Sequence, residues 1–278
     1  KAARYSPVLY VKKDMREQLA QELEEKTGIK FGLLIGRQAN VSSFMRHLLV
    51  SRFESSMAAF QTSLGYMIQS AEHLLTWIDR RHKIPVYKKG NLPEVDDFYT
   101  DDGMEEIQET FDKYESRGFF EIDMKYVEDN FIEDVKTDIH LLQSLREEWF
   151  GKENVIKQDP KLDSFIEIAK KKLEQEPERK LIVFSEYADT VDYLGKKLVE
   201  AGLPVMKYTS ADASPNNKER IRANFDAGLK KELQRDDYKI LVATDAISEG
   251  YNLHRAGAIF NYDIPYNPTR VIQRIGRI

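Results

Sequence analysis

The second half of the chain, residues 159–278, predicts an α/β fold in which helices cover both faces of a parallel sheet. Three observations support this fold class. Short continuous apolar runs are typical of strands buried on both faces. Amphipathic stretches of helical length separate these runs. Several of those stretches open on a capping residue followed by proline. Strands that alternate with helices favour a parallel sheet.

The elements of this half can be assigned in order. The predicted strands are KLIVFS, VMKY, KILVA and AGAIFNYD, at 180–185, 205–208, 239–243 and 256–263. The capping pairs that open helices are Asp159-Pro160, Ser214-Pro215 and Asn267-Pro268. A further helix through TVDYLGKKLVEAG should end at Gly202, since glycine often terminates helices.

The first half, residues 1–158, predicts a mainly helical region. An apolar stripe at steps of three and four indicates one long amphipathic helix, formed by Phe53, Met57, Phe60, Leu64, Ile68, Ala71, Leu75 and Ile78. The segment HKIPVYKKGNLP then breaks the pattern. An acidic stretch near 91–140 is interpreted as a solvated insertion, with helical patches around 104–114 and 131–149.

Composition excludes several classes of protein. With 41% hydrophobic and 32% charged residues, the chain can bury a core and keep a polar surface. No apolar run reaches the roughly 20 residues of a membrane helix, and no signal peptide is recognisable at Lys1. The absence of cysteine excludes disulfides and thiolate metal sites. We therefore expect a cytoplasmic protein.

Polar residues follow three of the predicted strands. Ser185-Glu186, Thr244-Asp245 and Asp263 each come directly after an apolar run. Ligands of open parallel sheets bind beyond the carboxyl ends of strands, so we expect a site here. The loop after the third strand is also rich in small and polar residues, which by itself is a weak signal.

The final helix has two chemically different faces. At 100° per residue, one face carries Arg270, Gln273, Arg274 and Arg277, and the other carries Val271, Ile272, Ile275 and Ile278. This pattern predicts that the apolar face packs on the sheet. The arginines would then face outward, where guanidinium groups can bind phosphate oxygens. A solvated basic face without function is the alternative.

Five motifs together carry a family resemblance. They are LIVFSEY, YTSADASPNNKERIRANF, ILVATDAISEGYNL, NYDIPYNP and QRIGRI. In order and spacing they resemble the second RecA-like lobe of superfamily-two helicases, over residues 159–278. Within that superfamily they look like the Snf-type DNA translocases of the bacterial RapA-like group. The earlier LLVSRFESSMAAF resembles the helical region that such members carry between their lobes.

The resemblance implies roles for individual residues. Ser185 and Thr244 match positions that contact the nucleic-acid backbone. Residues matching the loop that couples nucleic acid to nucleotide are Glu249, Gly250 and Asn252. Gln273 and Arg277 match the arginine-finger motif, in which Arg277 would reach the γ-phosphate of ATP. Arg274 would either brace this motif or contact nucleic acid.

The sequence lacks the other half of such a motor. It contains neither G-x-x-x-x-G-K-[ST] nor a D-E-x-H box, and GLLIGRQA is only a distant approximation of the former. The resemblance therefore implies that ATP and Mg²⁺ are bound mainly by a first RecA-like lobe outside this sequence, and that this chain alone does not hydrolyse ATP.

The partners implied by the resemblance are double-stranded DNA, that first lobe, and a protein such as RNA polymerase, with no membrane. Two alternatives stay open: a non-catalytic nucleic-acid or protein-binding module, and a lobe of an RNA helicase.

Overall fold

The computed structural model describes residues 1–87, 119–247, 251–265 and 267–276. These residues form two compact units. The described part of the first unit consists of residues 1–53, 60–87 and 119–156, and that of the second consists of residues 54–59 with those from 157 onward. Within the described residues, no helix combines the length and apolar character needed to cross a bilayer.

The first unit is built mainly from helices. They are α1 (Arg16–Thr27), α2 (Phe31–Gln38), α3 (Val41–Ser55), α4 (Met57–Arg81) and α5 (Asn130–Phe150). Two strands, β1 (Lys83–Tyr87) and β2 (Phe119–Asp123), pair antiparallel. Short 3₁₀ turns lie at Ala3–Tyr5, Pro7–Tyr10, Lys13–Met15 and Met124–Tyr126.

The predicted long helix is divided into two. Its apolar stripe is largely buried, with Leu64 fully inaccessible, but the helix ends at Ser55 and a new one begins at Met57. The Ser56 hydroxyl accepts a hydrogen bond from the Ala59 amide at 3.0 Å, which caps α4. Serine competes for backbone donors in this way, and the prediction of one continuous helix is therefore wrong at this point.

The acidic stretch near 91–140 is not a solvated insertion where the structure describes it. Phe120 and Ile122 on β2 and Val135 on α5 are buried, so residues 119–140 contribute to the core of the first unit. The helix predicted around 131–149 is confirmed as part of α5. The patch predicted around 104–114 lies outside the described residues.

The second unit alternates strands with helices. Its elements are α6 (Pro160–Gln175), β3 (Lys180–Phe184), α7 (Ala188–Glu200), β4 (Val205–Tyr208), α8 (Pro215–Phe225), β5 (Ile240–Ala243), β6 (Ala256–Asn261) and α9 (Pro268–Ile275). All four predicted strands are confirmed. They form one parallel sheet in the order β4-β5-β3-β6.

The predicted caps are also present. Asp159 accepts from the Leu162 amide at 3.0 Å, which fixes the start of α6. Ser214 and Asn267 act in the same way at the starts of α8 and α9. Gly202 follows α7 with a φ of +81°, a conformation that glycine adopts without the steric cost of a side chain.

Both faces of this sheet are covered. Leu181 and Val183 pack with α6 and α7 on one face, and Ile182 and Phe184 pack with α8 on the other. Successive strand residues point to opposite faces, so a strand that is apolar throughout serves both cores. The predicted fold class, a parallel sheet with helices on both faces, is confirmed.

Candidate functional site

The carboxyl ends of the central strands meet at one edge of the second unit. The Ser185 amide donates to the Ala243 carbonyl at 3.1 Å, so Ser185 and Thr244 leave adjacent strands side by side. Strand β6 pairs with the other side of β3, and Asp263 follows its end. The three polar positions that the sequence places after strands are thus brought together.

Asp263 organises this edge through its carboxylate. Its Oδ2 accepts hydrogen bonds from the Ser185 and Ser55 hydroxyls, each at 2.6 Å, and its Oδ1 accepts from the Glu186 amide at 2.8 Å. The side chain of Ser185 is fully buried. Its one hydroxyl hydrogen is therefore used within the protein.

Thr244 is buried as completely as Ser185, with 1% of its surface exposed. Its hydroxyl accepts from the Ala246 amide at 3.3 Å, which shapes the turn after β5. Both residues proposed from the sequence to contact nucleic acid thus hold the edge together in this conformation.

Arg274 joins the final helix to the sheet. Its Nε and Nη2 donate to the two carboxylate oxygens of Asp245 at 2.7 and 2.8 Å, and its Nη1 donates to Asn261 at 2.8 Å. The guanidinium also lies 4.9 Å from the ring centre of Phe184. Such a bidentate pair fixes both distance and orientation. The sequence left two roles open for Arg274, which were to brace the arginine-finger motif or to contact nucleic acid. This geometry supports the first role.

The prediction for the faces of this helix is wrong. Arg274 is buried with 1% exposure, whereas Ile272 and Ile275 are exposed by 71% and 57%. Asp245 stands at the end of a buried strand and is only partly exposed, so a cationic partner there offsets the cost of desolvating its carboxylate. That pairing brings the arginine face, and not the apolar face, against the sheet.

Glu186 is the exceptional carboxylate of the edge. It is 7% exposed, and its Oε1 has no hydrogen-bond partner among the described residues. Arg270 lies 3.7 Å from this oxygen, but Arg270 donates instead to Asp245 at 3.1 Å. Burial, with the nearby charge of Asp263, raises the pKa of Glu186 to about 7, and the two arginines oppose that rise.

The remaining predicted site residues are only partly described. Gln273 and Asn252 are exposed. Glu249, Gly250 and Arg277 lie outside the described residues. In the described ranges, no group of three or more His, Asp or Glu side chains is arranged to hold a metal ion.

Sequence reasoning missed part of this edge. It assigned no role to Ser55, Ser56 or Thr190, although Thr190 Oγ1 lies 2.8 Å from both serine hydroxyls. A possible signal was the pair of serines that interrupts the apolar stripe before Met57. The burial of Glu186 had no signal, because a carboxylate after a strand is usually solvated.

The described geometry defines an α/β unit with a polar, ion-paired edge at the carboxyl ends of its strands. Residues 161–278 match the family model of the helicase conserved C-terminal domain. This segment is therefore similar to the conserved C-terminal domain of helicases.

Similar curated proteins agree with that class. An uncharacterized ATP-dependent helicase, YqhH of Bacillus subtilis, is 37% identical over 36% of this chain and 16% of its own length. The ATP-dependent RNA helicase DeaD of Mycobacterium tuberculosis is 31% identical over 41% of this chain and 20% of its own length. The matched segment thus spans a fifth or less of each of these relatives.

Among solved structures, the Hef helicase domain of Pyrococcus furiosus is 16% identical, with a TM-score of 0.42. That alignment covers 96% of this chain and 42% of the other. The fold of the second unit is defined by its own sheet order and register.

Proposed function

We propose that the second unit is the C-terminal motor lobe of an ATP-dependent, Snf-type DNA translocase. The observation that carries this proposal is the match of residues 161–278 to the helicase conserved C-terminal domain. It is supported by the bidentate pair of Arg274 with Asp245, which holds α9 at the carboxyl edge of the sheet. Ligands of open α/β sheets bind at that edge.

In this proposal the chain supplies part of two binding surfaces. Ser185 and Thr244 contact the phosphate backbone of DNA once they are accessible. Asn252 and Gln273 are exposed, as groups that meet a nucleotide must be. Arg277, four residues after Gln273 in the sequence, serves as the arginine finger.

In this proposal ATP and Mg²⁺ bind at a site that this chain shares with the other lobe. The described residues offer exposed polar groups and an ion-paired helix, but no carboxylate cluster that could hold a metal. The phosphates and the metal would be held by the other lobe. When bound, that nucleotide supplies the free energy of hydrolysis, and Arg277 stabilises the charge that develops on the transferred phosphoryl group.

Substitution of the proposed finger tests this function. In a protein that joins this chain to a first lobe carrying G-x-x-x-x-G-K-[ST], Arg277→Ala should lower DNA-stimulated kcat by about 10³-fold or more. ATP and DNA affinity should change little, since the interaction belongs mainly to the transition state. Arg277→Lys should restore little, because an ammonium group lacks the guanidinium fork.

The matched control is Arg179→Ala, an exposed arginine before the amino end of β3. It should leave kcat unchanged, and melting curves should show both variants folded. An Arg277→Ala protein that keeps its kcat would contradict the proposed role. ATP hydrolysis by the unextended chain alone would contradict the shared site.

A lobe of an RNA helicase is the second candidate, favoured by one observation. Relatives such as DeaD, 31% identical over 120 residues, are named RNA helicases. Fluorescence anisotropy with a labelled DNA duplex and an RNA duplex of the same sequence separates the candidates. Tighter binding of RNA by this chain, at equal salt, would favour the second. A protein partner such as RNA polymerase stays a prediction from the resemblance.

A further inference from the structure

The segment Glu54–Ala59 belongs to the second unit and lies beside Ser185. Ser55 and Ser185 donate to the same oxygen of Asp263, each at 2.6 Å, so their hydroxyls are close neighbours. Ser55 and Ser56 are almost fully buried, as is Ser185 itself. A phosphate group could not reach the Ser185 hydroxyl in this arrangement.

The same segment is held by further polar contacts. Thr190 Oγ1 lies 2.8 Å from both the Ser55 and the Ser56 hydroxyls. Lys161 Nζ donates to the carbonyls of Glu54 and Ser55 at 2.6 and 2.8 Å. Each of these hydrogen bonds is of modest net strength, so their loss on displacement of the segment has a moderate cost.

From these contacts we infer that the Glu54–Ala59 segment is an autoinhibitory cover over the backbone-binding position at Ser185. The inference rests on the proposed function, because it needs Ser185 to meet phosphate. A serine hydroxyl has one hydrogen, so Ser185 must leave Asp263 before it can donate to a phosphate oxygen. Displacement of the segment opens access to Ser185. Water then replaces the Ser55 hydroxyl as a hydrogen-bond donor to Asp263.

Two variants that weaken the cover test this inference in the full chain. Ser55→Ala removes its hydrogen bonds to Asp263 and Thr190, and Lys161→Met removes those to the Glu54 and Ser55 carbonyls. Both should bind a labelled DNA duplex about threefold to tenfold tighter in fluorescence anisotropy, the range expected from the modest net strength of such bonds. For Lys161→Met the expected gain is opposite to the effect of losing a positive charge, which by itself weakens DNA binding.

The matched controls are Ser144→Ala and Lys170→Met. The Ser144 hydroxyl donates within its own helix, and Lys170 is an exposed residue on α6. Neither should bind DNA more tightly.

The outcomes separate the two proposals. If Ser185→Ala weakens DNA binding but Ser55→Ala and Lys161→Met bind no tighter than their controls, the cover is refuted and the proposed function stands. If Ser185→Ala leaves DNA binding unchanged, the proposed backbone contact fails and the cover fails with it.

Discussion

The two ends of strand β3 each bury a cation against a phenylalanine ring, yet the two environments differ. At the amino end, Lys180 lies 5.1 Å from the ring centre of Phe225 and pairs with Asp236 at 2.8 Å. Asp236 is half exposed and also binds Arg255. At the carboxyl end, Arg274 pairs with Asp245, and Oε1 of the buried Glu186 has no hydrogen-bond partner among the described residues.

This difference separates a structural ion cluster from one that is suited to binding. At the amino end, Asp236 can be stabilised by water and by Arg255 if it loses Lys180 as a partner. At the carboxyl end the charges are more deeply buried and depend on one another, while one carboxylate stays unsatisfied. Incomplete polar networks of this kind are unfavourable for stability alone and are common at functional sites.

Removal of Arg274 should have the largest effect. Arg274→Ala leaves Arg270 as the ion-pair partner of Asp245 among the described residues and removes the packing on Phe184. Because 26% of the Asp245 side chain is exposed, we expect a cost of about 2–3 kcal/mol in the free energy of unfolding, the upper range for hydrogen bonds to charged groups. Urea denaturation followed by circular dichroism measures it. A loss below about 1 kcal/mol would show that Asp245 is solvated and would remove the contrast between the two ends.

Glu186→Gln should have a smaller effect that depends on pH. The folded-state pKa of Glu186 is raised from 4.5 to about 7, so the folded protein binds more protons than the unfolded one between these values. Stability should therefore fall as pH rises from about 4.5 to 7 and level off above it. Glutamine cannot ionise, so Glu186→Gln should be more stable than the parent at pH 8 by on the order of 2 kcal/mol.

The two proteins should be nearly equal in stability at pH 4.5, and denaturation at several pH values gives the curve. Glu167→Gln, an exposed position on α6, is the control and should not alter the slope. Glu186→Gln could instead destabilise the chain at pH 8. The Glu186 carboxylate would then have a hydrogen-bond donor that offsets its burial, and the charged groups at both ends of β3 would be satisfied.

Lys180→Met should have the smallest effect of the three. The methionine keeps most of the apolar stem against Phe225, and Asp236 keeps its bond to Arg255 at 2.6 Å. Burial lowers the pKa of Lys180, which indicates that its charge is poorly solvated there. The variant also loses the hydrogen bond from Lys180 to the Tyr238 carbonyl, and we expect a net loss of about 1 kcal/mol in the same urea titration. A loss equal to that of Arg274→Ala would make the amino end just as dependent on its cation.

Local chemistry made much of this fold predictable. The strands are continuous apolar runs, and the caps at Asp159, Ser214 and Asn267 depend on neighbours within three residues. Both are short-range effects that a sequence displays directly. The positions of Ser185, Thr244 and Asp263 after strands were predictable for the same reason.

Long-range requirements account for what was missed. Periodicity divides α9 into two faces but cannot tell which one packs, because that depends on the charge of Asp245 in a different element. The pairing of β1 with β2 joins residues far apart in the sequence. The contacts of Ser55 with Thr190 and Asp263 likewise depend on the assembled tertiary structure.

The strand order has a consequence for how the second unit is made in the cell. Strand β3 is central, and both of its neighbours, β5 and β6, come later in the sequence. During synthesis β3 leaves the ribosome first, with its apolar residues unpaired and available to other chains. Slow translation before Ala256 prolongs that exposure, whereas slow translation after Asn261 comes when all four described strands of the sheet have been made. The timing of synthesis across this interval therefore bears on how much of the protein escapes aggregation.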